Sequence, residues 1–421
     1  MGDTQAARLD LGELLAAVED APPVAAVDVL DDRLRKAIGA NDVSFLIADF
    51  SGQALIRLEH AGSALAVRTQ GRETAERVPL TGTPHGRALA SQTVVVEAGG
   101  DGGGTRLYAP VTNRGEAIGL IELHLAGAPD ERALADVALA AHALAYVVIA
   151  NRRFTDLFAW GQRSVRLSLA AEIQHRLLPG SYTCEAGQFT LAAWLEPAGN
   201  VGGDTFDFSM DRDTLHLSMT DAMGHEVGAA VLATVLVGAL RNARRAGVSL
   251  GEQARRANDG LHGFARRGGF VTGQLARIDL GEETATIVNA GHPPPLRLRG
   301  GRVETVVLRA DPPFGIMPGH AYQVQPLPLM PGDRLMFLTD GMLERNVADV
   351  DLDALLVAGA EMHPREAVQD VVRATLEAAG GELKDDAAAL CLDWHGGPPR
   401  ERTTDSGADS SKPVQKSVAA A

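Results

Sequence analysis

The sequence predicts an α+β chain: a small α/β domain, a long helical connector, and an α-β-β-α sandwich of two antiparallel sheets. Three observations lead there. Strand patterns between residues 191 and 394 follow one another in hairpin order, with helical stretches in pairs, which argues against a doubly wound parallel sheet. Ahead of them an apolar stripe with spacings of three and four runs for about 45 residues. Before that stripe, four strand-like runs follow two short helical ones.

The first segment, 1–128, carries helical patterns at 9–18 and 27–38 and strand patterns at 43–49, 93–97, 106–111 and 117–125. Asp101-Gly-Gly-Gly104 marks a loop. Their order suggests an antiparallel sheet flanked by helices. The second segment, 129–179, opens with Pro129-Asp130-Glu131, a composition that suits a helix start. Its stripe comprises Leu134, Val137, Leu144, Val147, Val148, Phe154, Phe158, Val165, Leu169, Ile173 and Leu177, with a break at Trp160-Gly161. Such a stripe either packs on its own domains or pairs two chains; its place between two domains favours a connector and a homodimer. The third segment, 180–395, has strand patterns at 191–194, 214–219, 273–278, 285–289, 334–339 and 388–392, and helical ones at 228–246, 250–267 and 364–379. The tail, 396–421, is rich in Gly, Pro, Ser, Asp and Lys and is expected to be disordered.

Composition narrows the function. A net charge of −15 argues against nucleic acid or an anionic membrane as partner. The Arg pairs at 152–153, 244–245, 255–256 and 266–267 read as solvated helix faces. Two cysteines, Cys184 and Cys391, make neither a zinc site nor a disulfide framework. Asp3 and Asp10 replace the apolar core of a signal peptide, and no stretch reads as the ~20 apolar residues that span a bilayer. A cytoplasmic chain without a membrane partner is expected.

Four carboxylate-bearing stretches carry the chemistry: Val201-Gly-Gly-Asp204, Asp221-Ala-Met-Gly-His225, Thr339-Asp340-Gly341 and Lys384-Asp385-Asp386. Each Asp lies beside Gly, at the end of an apolar run, or in a doublet. One isolated Asp of this kind would read as a surface turn. As a set they point to hard divalent ions, which take oxygen ligands, and two such ions suit phosphoester hydrolysis.

The third segment resembles the metal-dependent protein phosphatases of the PPM superfamily, in their bacterial SpoIIE-like branch that acts in sigma-factor regulation. The resemblance rests on motifs in order: 171–179 ending in Leu177-Leu178-Pro179, 197–204 with Asp207, Asp221-Ala-Met-Gly-His225, Phe270-Val-Thr272, Asn289-Ala-Gly-His-Pro-Pro294, Gly332-Asp333, Thr339-Asp340-Gly341 and Asp385-Asp386. It implies a protein serine/threonine phosphatase using two or more Mn²⁺ or Mg²⁺ ions and a metal-activated water, with no phosphoenzyme. It implies Asp204, Asp221, Asp340 and Asp385 as catalytic carboxylates and metal ligands, directly or through water, and the Ala222 carbonyl as a further ligand. Asp207 and Asp386 are expected one layer out, hydrogen-bonding rather than ligating. His225 and His292 are expected to shape loops more than to move protons. Gly202, Gly203, Gly224, Gly291 and Gly341 are read as backbone devices beside the ions. The implied substrate is a phosphorylated anti-sigma factor antagonist of the STAS type.

Two positions depart from the branch pattern: Glu226 stands where Gly is usual, and Ala388 where Thr is common. A positive φ at 226 would make Glu costly there. The first segment resembles a GAF sensory domain through Leu80-Thr81, Gly86-Arg-Ala-Leu89, Tyr108-Ala-Pro-Val111 and Gly119-Leu-Ile-Glu-Leu123, which implies a small-molecule ligand and control of the phosphatase. The alternative is a non-catalytic scaffold, or a small-molecule receptor with an inactive phosphatase-like domain.

Overall fold

The computed structural model describes residues 9–50, 52–58, 75–99, 103–162, 167–196, 202–265, 268–343, 350–381, 383 and 385–398. Expectations for 1–8, 101–102, 163–166, 197–201, 266–267, 384 and the tail from 399 lie outside the described residues. The chain divides between residues 166 and 167 into two compact units.

The first unit is built on one antiparallel sheet. Helices α1 (Leu11–Asp20) and α2 (Ala26–Ile38) lead into β1 (Asn41–Ala48), β2 (Ala54–Leu58) and β3 (Ala75–Pro79). There follow α3 (Pro84–Ser91), β4 (Val95–Ala98), β5 (Thr105–Asn113), β6 (Glu116–Leu125), α4 (Glu131–Asn151) and α5 (Leu157–Gly161). Strand order is β3-β2-β1-β6-β5-β4. The alternation along β6 shows how the sheet is used: Ile121, Leu123 and Leu125 face the core with α1, α2 and α4, whereas Leu120 packs with α3 on the other face.

Among the described residues of 129–179 the helix is interrupted at 152–156 and again after Gly161, the break expected at Trp160-Gly161. Helix α4, capped by the Asp130 carboxylate accepting from the Ala133 amide at 2.7 Å, is a core helix of the first unit. Its Val137, Ala140, Ala141, Leu144 and Ala145 are buried in the same core as Phe45 and Leu107. The small Ala side chains let the helix approach the sheet closely. Phe158 of α5 joins that core. The membrane expectation is corrected too: α4 (21 residues) and α7 (Glu226–Arg245, 20 residues; reached below) are long and apolar enough to cross a bilayer by length and composition alone. Their charges stand mainly at the ends, and Ala makes up much of the apolar length between them. Both bury one face within their own unit.

The second unit is the α-β-β-α sandwich. It begins with α6 (Leu169–Leu177), β7 (Thr183–Glu185), β8 (Phe189–Glu196), β9 (Asp204–Met210) and β10 (Thr214–Ala222). After α7 come α8 (Leu250–Phe264), β11 (Val271–Asp279), β12 (Thr284–Ala290), β13 (Leu296–Arg299), β14 (Arg302–Thr305), β15 (Gln325–Pro326) and β16 (Arg334–Leu338). A single 3₁₀ turn, Asp340–Met342, then precedes α9 (Leu352–Ala358), α10 (Pro364–Ala378) and β17 (Ala387–Trp394). One sheet runs β15-β12-β11-β10-β9 and the other β14-β13-β16-β17-β8-β7. Between them lies a core containing Phe189, Phe206, Leu215, Ile278, Leu335 and Leu392. Helices α7 and α8 cover the outer face of the first sheet, and α9 and α10 that of the second. Arg334 and Asp393, both buried, tie β16 to β17 with a two-pronged ion pair, and Arg334 also donates to the Met362 carbonyl.

Candidate active site

Strand register gathers the acids. In the first sheet Asp204 of β9 stands opposite Asp221 of β10, which stands opposite Thr272 of β11. Leu215, Leu217 and Met219 of β10 point into the inter-sheet core, so period-two alternation places Asp221 on that side as well. The three residues therefore form a row across the sheet, at one end of the sandwich. The same end of the second sheet supplies Asp340, one residue beyond Thr339 and β16, and Asp385-Asp386, just before β17. Asp204 is buried, Asp221 and Asp385 are half-buried, and Asp340 is exposed.

Electrostatics ties the two halves together. Burial, followed by the charges of Asp340, Asp385 and Asp386, pushes the Asp221 carboxyl up to about 7. Burial, then Asp221 and Asp386, raises Asp204 well above its ordinary value, against a smaller opposing pull from the Thr339 hydroxyl. The charges that act on Asp221 are all negative. Oδ2 of Asp204 is buried without a hydrogen-bond partner. An ionised carboxylate in that setting calls for a cation.

Two glycines make the close approaches. A Cβ on Gly341 would lie 1.9 Å from the Asp386 carbonyl oxygen, and one on Gly203 would lie 2.6 Å from that of Ala222. The Asp340 turn can therefore rest on the Asp386 backbone, and the entry to β9 on the Ala222 carbonyl.

The outer carboxylates are accounted for by protein donors. Asp207 is held by Arg241 at 2.9 and 3.1 Å and by Arg244 at 2.9 Å. Arg241 also donates to the Leu177 carbonyl at 2.6 Å, fixing the end of α6 against α7. Asp386 accepts from the Gln174 side chain at 2.6 Å and from the Gly203 amide at 3.1 Å. Gln174, fully buried on α6, donates as well to the Asp204 carbonyl at 2.7 Å. Gln174, Thr272 and Thr339 lie within motifs the sequence singled out, but their individual roles, and that of Arg241, depend on partners distant in the chain.

His225 is exposed at the start of α7 and makes no side-chain capping bond. His292 is buried and bonded to Thr272. Glu226 adopts φ of 62°, the left-handed conformation that the usual Gly would take without strain. Ala388 is buried, and its amide donates to the Thr339 hydroxyl at 2.9 Å.

Among the described residues no three or more His, Cys, Asp or Glu side chains are gathered so that they alone could hold a metal ion. An ion such as Mg²⁺ does not require such a set, since it keeps several waters and binds through one or two carboxylates. The orphaned Asp204 oxygen and the all-acid surroundings of Asp221 fit a divalent cation, which Asp204, Asp221, Asp340, Asp385 and the Ala222 carbonyl would hold.

Residues 211–395 match the family profile of Stage II sporulation protein E (SpoIIE). The chain is similar to the phosphoserine phosphatase RsbP of Bacillus subtilis, with 23% identity over 212 residues, covering 49% of this chain and 50% of RsbP. It is similar to the phosphoserine phosphatase RsbU of the same organism, with 21% identity over 232 residues, covering 54% of this chain and 69% of RsbU. The match thus spans about half the length of RsbP. A crystal structure of the RsbU and RsbW domains of a Mycobacterium tuberculosis protein aligns with 24% identity and a TM-score of 0.45, covering 52% of this chain and 63% of that one.

Proposed function

We propose that this chain, whose residues 211–395 match the SpoIIE family profile, is a Mg²⁺- or Mn²⁺-dependent protein serine/threonine phosphatase of the PPM kind in bacterial sigma-factor signalling. The observation that carries the reading is the acid cluster: carboxylates from both sheets meet at one end of the sandwich, with a buried, unpartnered oxygen on Asp204. The phosphoserine phosphatases to which the chain is similar support a phosphoserine or phosphothreonine substrate. The motif resemblance supports a STAS-type anti-sigma factor antagonist as the protein that bears it.

Asp204, Asp221, Asp340, Asp385 and the Ala222 carbonyl would hold two or more ions, which would supply Lewis acidity to lower the pKa of a water and to neutralise charge on phosphoryl oxygens. The protein's own part is placement. Gln174 and the Gly203 amide join Asp386 to the entry of β9 and so hold the two sheet ends together, Arg241 and Arg244 occupy Asp207, and Gly341 and Gly203 allow close backbone packing within each sheet end. Such fixed geometry reduces the reorganisation needed during reaction. Neither Cys184 nor Cys391 belongs to the cluster, in keeping with direct attack by water.

The first unit is proposed as the sensory part, acting in a homodimer and taking a small molecule, with α6 as the element through which control reaches the site. Gln174 on α6 supports this, because its bonds to Asp204 and Asp386 make the cluster sensitive to the position of that helix. The test is hydrolysis of a phosphoserine protein substrate by the full chain, with and without residues 1–166. Metal-dependent turnover whose rate changes on truncation is expected. An unchanged rate would remove the regulatory part, and no turnover in either form would remove the phosphatase.

A further inference from the structure

We propose that the rim of the acid cluster is a docking surface for the substrate protein, on which Met223, Leu343, Ile316 and Met317 receive apolar side chains flanking the phosphorylated residue. The proposal rests on the phosphatase reading above. Met223 lies two residues past Asp221. Its amide donates to the Phe270 carbonyl at 3.1 Å and carries the β10–β11 pairing one step beyond Ala222 and Val271. Leu343 lies three residues past Asp340 and closes that turn, its amide donating to the Asp340 carbonyl at 2.7 Å. Both side chains are exposed, by 41% and 46%. Apolar groups thus border the cluster from both sheets.

A loop extends the rim on the far side of β11. Beyond the end of β12, Phe314 exchanges two hydrogen bonds with Val271, at 3.0 and 2.9 Å. Ala222, Val271 and Phe314 therefore stand side by side across the end of the sheet. At about 4.8 Å per strand, Phe314 is about 10 Å from β10. The residues that follow are braced on α8. The Gly315 amide donates to the Asn258 side-chain oxygen at 2.9 Å, and the Asn258 side-chain amide donates to the Met317 carbonyl at 2.8 Å. The His262 ring donates to the Gly315 carbonyl at 2.8 Å. Gly315 has φ of 95°, and a Cβ there would lie 3.0 Å from the Gly269 carbonyl oxygen, so the close approach needs Gly. On this fixed backbone Ile316 and Met317 remain 47% and 49% exposed.

A single exposed Leu or Met needs no explanation. Four large apolar side chains from three segments around one cluster form a surface, and a braced backbone loses little entropy when it is covered. Any protein that delivers a phosphoserine to the cluster must cross this rim, which identifies the occupant. With a net charge of −15 the chain has little general attraction for a phosphoprotein, so apolar contact is left to supply affinity away from the metal site. About 10 Å is three residues of extended chain. The second and third residues on either side of the phosphoserine are therefore the ones in reach of Ile316 and Met317.

The test is steady-state hydrolysis by the full chain with Mn²⁺ of three substrates: p-nitrophenyl phosphate, a phosphoserine peptide with Leu at those positions, and the same peptide with Ser there. Covering the exposed half of one such side chain is worth about three- to tenfold in affinity. The wild type is expected to show about tenfold higher kcat/KM for the Leu peptide. Ile316→Ser/Met317→Ser should lose most of that preference through KM, with p-nitrophenyl phosphate turnover unchanged. A wild type without the preference, or a double variant that keeps it, overturns the docking surface. So does a folded double variant that loses p-nitrophenyl phosphate turnover, because these residues would then act on the site itself. Either single variant serves should the double one fail to fold. No turnover of any of the three substrates by the wild type overturns the phosphatase reading and the surface with it, a result distinguishable because p-nitrophenyl phosphate needs no docking.

Discussion

Replacing Asp221 with Asn should stabilise the metal-free protein at pH 8 while abolishing its response to divalent ions. In the folded chain burial, then Asp340, Asp385 and Asp386, moves this carboxyl from its ordinary 3.8 to about 7. Unfolded, it regains the ordinary value, so between these limits the folded state binds the proton more tightly. The associated stability is present below about pH 4 and is lost as pH rises through about 7. At about 1.4 kcal/mol for each tenfold change in proton affinity, the whole displacement corresponds to about 4 kcal/mol. Asp221 is only half-buried, and solvent screens part of the repulsion, so about 2 kcal/mol is expected from the substitution. For a unit of this size that is a rise in Tm of about 4–8 °C. Calorimetry in EDTA at pH 4 and pH 8 reads it directly. A lower Tm for the Asn variant at pH 8, or an equal gain at both pH values, would refute the reasoning.

Two further substitutions test the framework around the site. Glu226→Gly relieves a left-handed residue, a conformation that costs about 1–2 kcal/mol, against about 0.5–1 kcal/mol of added chain entropy; urea denaturation should show a net gain of about 0.5–1 kcal/mol. Arg334→Met strands the buried Asp393 carboxylate and should cost about 3–5 kcal/mol; adding Asp393→Leu should recover most of that loss in the same measurement.

The site's ingredients were legible because hard cations leave the sequence little choice. Carboxylates must be supplied, and Gly must stand where backbone meets backbone, as Gly341 does against Asp386. The departure at 226 was legible for a related reason: a Glu at a position that is usually Gly flagged the left-handed φ the structure contains. Periodicity was a poorer guide to packing. The stripe along 134–148 reports that an apolar face exists and is silent on what covers it, so a core helix read as a connector. Short strands escaped as well. Residues 204–210 form β9, yet Asp204 and Asp207 break up their apolar pattern, and β2 has only five residues. Asp207 was legible as a hydrogen-bonding residue, but its partner Arg241, 34 residues away on another element, was not. Contacts of that kind are created by the fold and leave no local mark.

The most direct test of the metal centre is anomalous diffraction from crystals of the full chain grown with Mn²⁺. The account predicts anomalous peaks at the end of the sandwich, among Asp204, Asp221, Asp340 and Asp385 and within reach of the Ala222 carbonyl, and their disappearance in Asp340→Asn or in EDTA. Peaks elsewhere, or none at millimolar Mn²⁺ with these side chains well ordered, would contradict it.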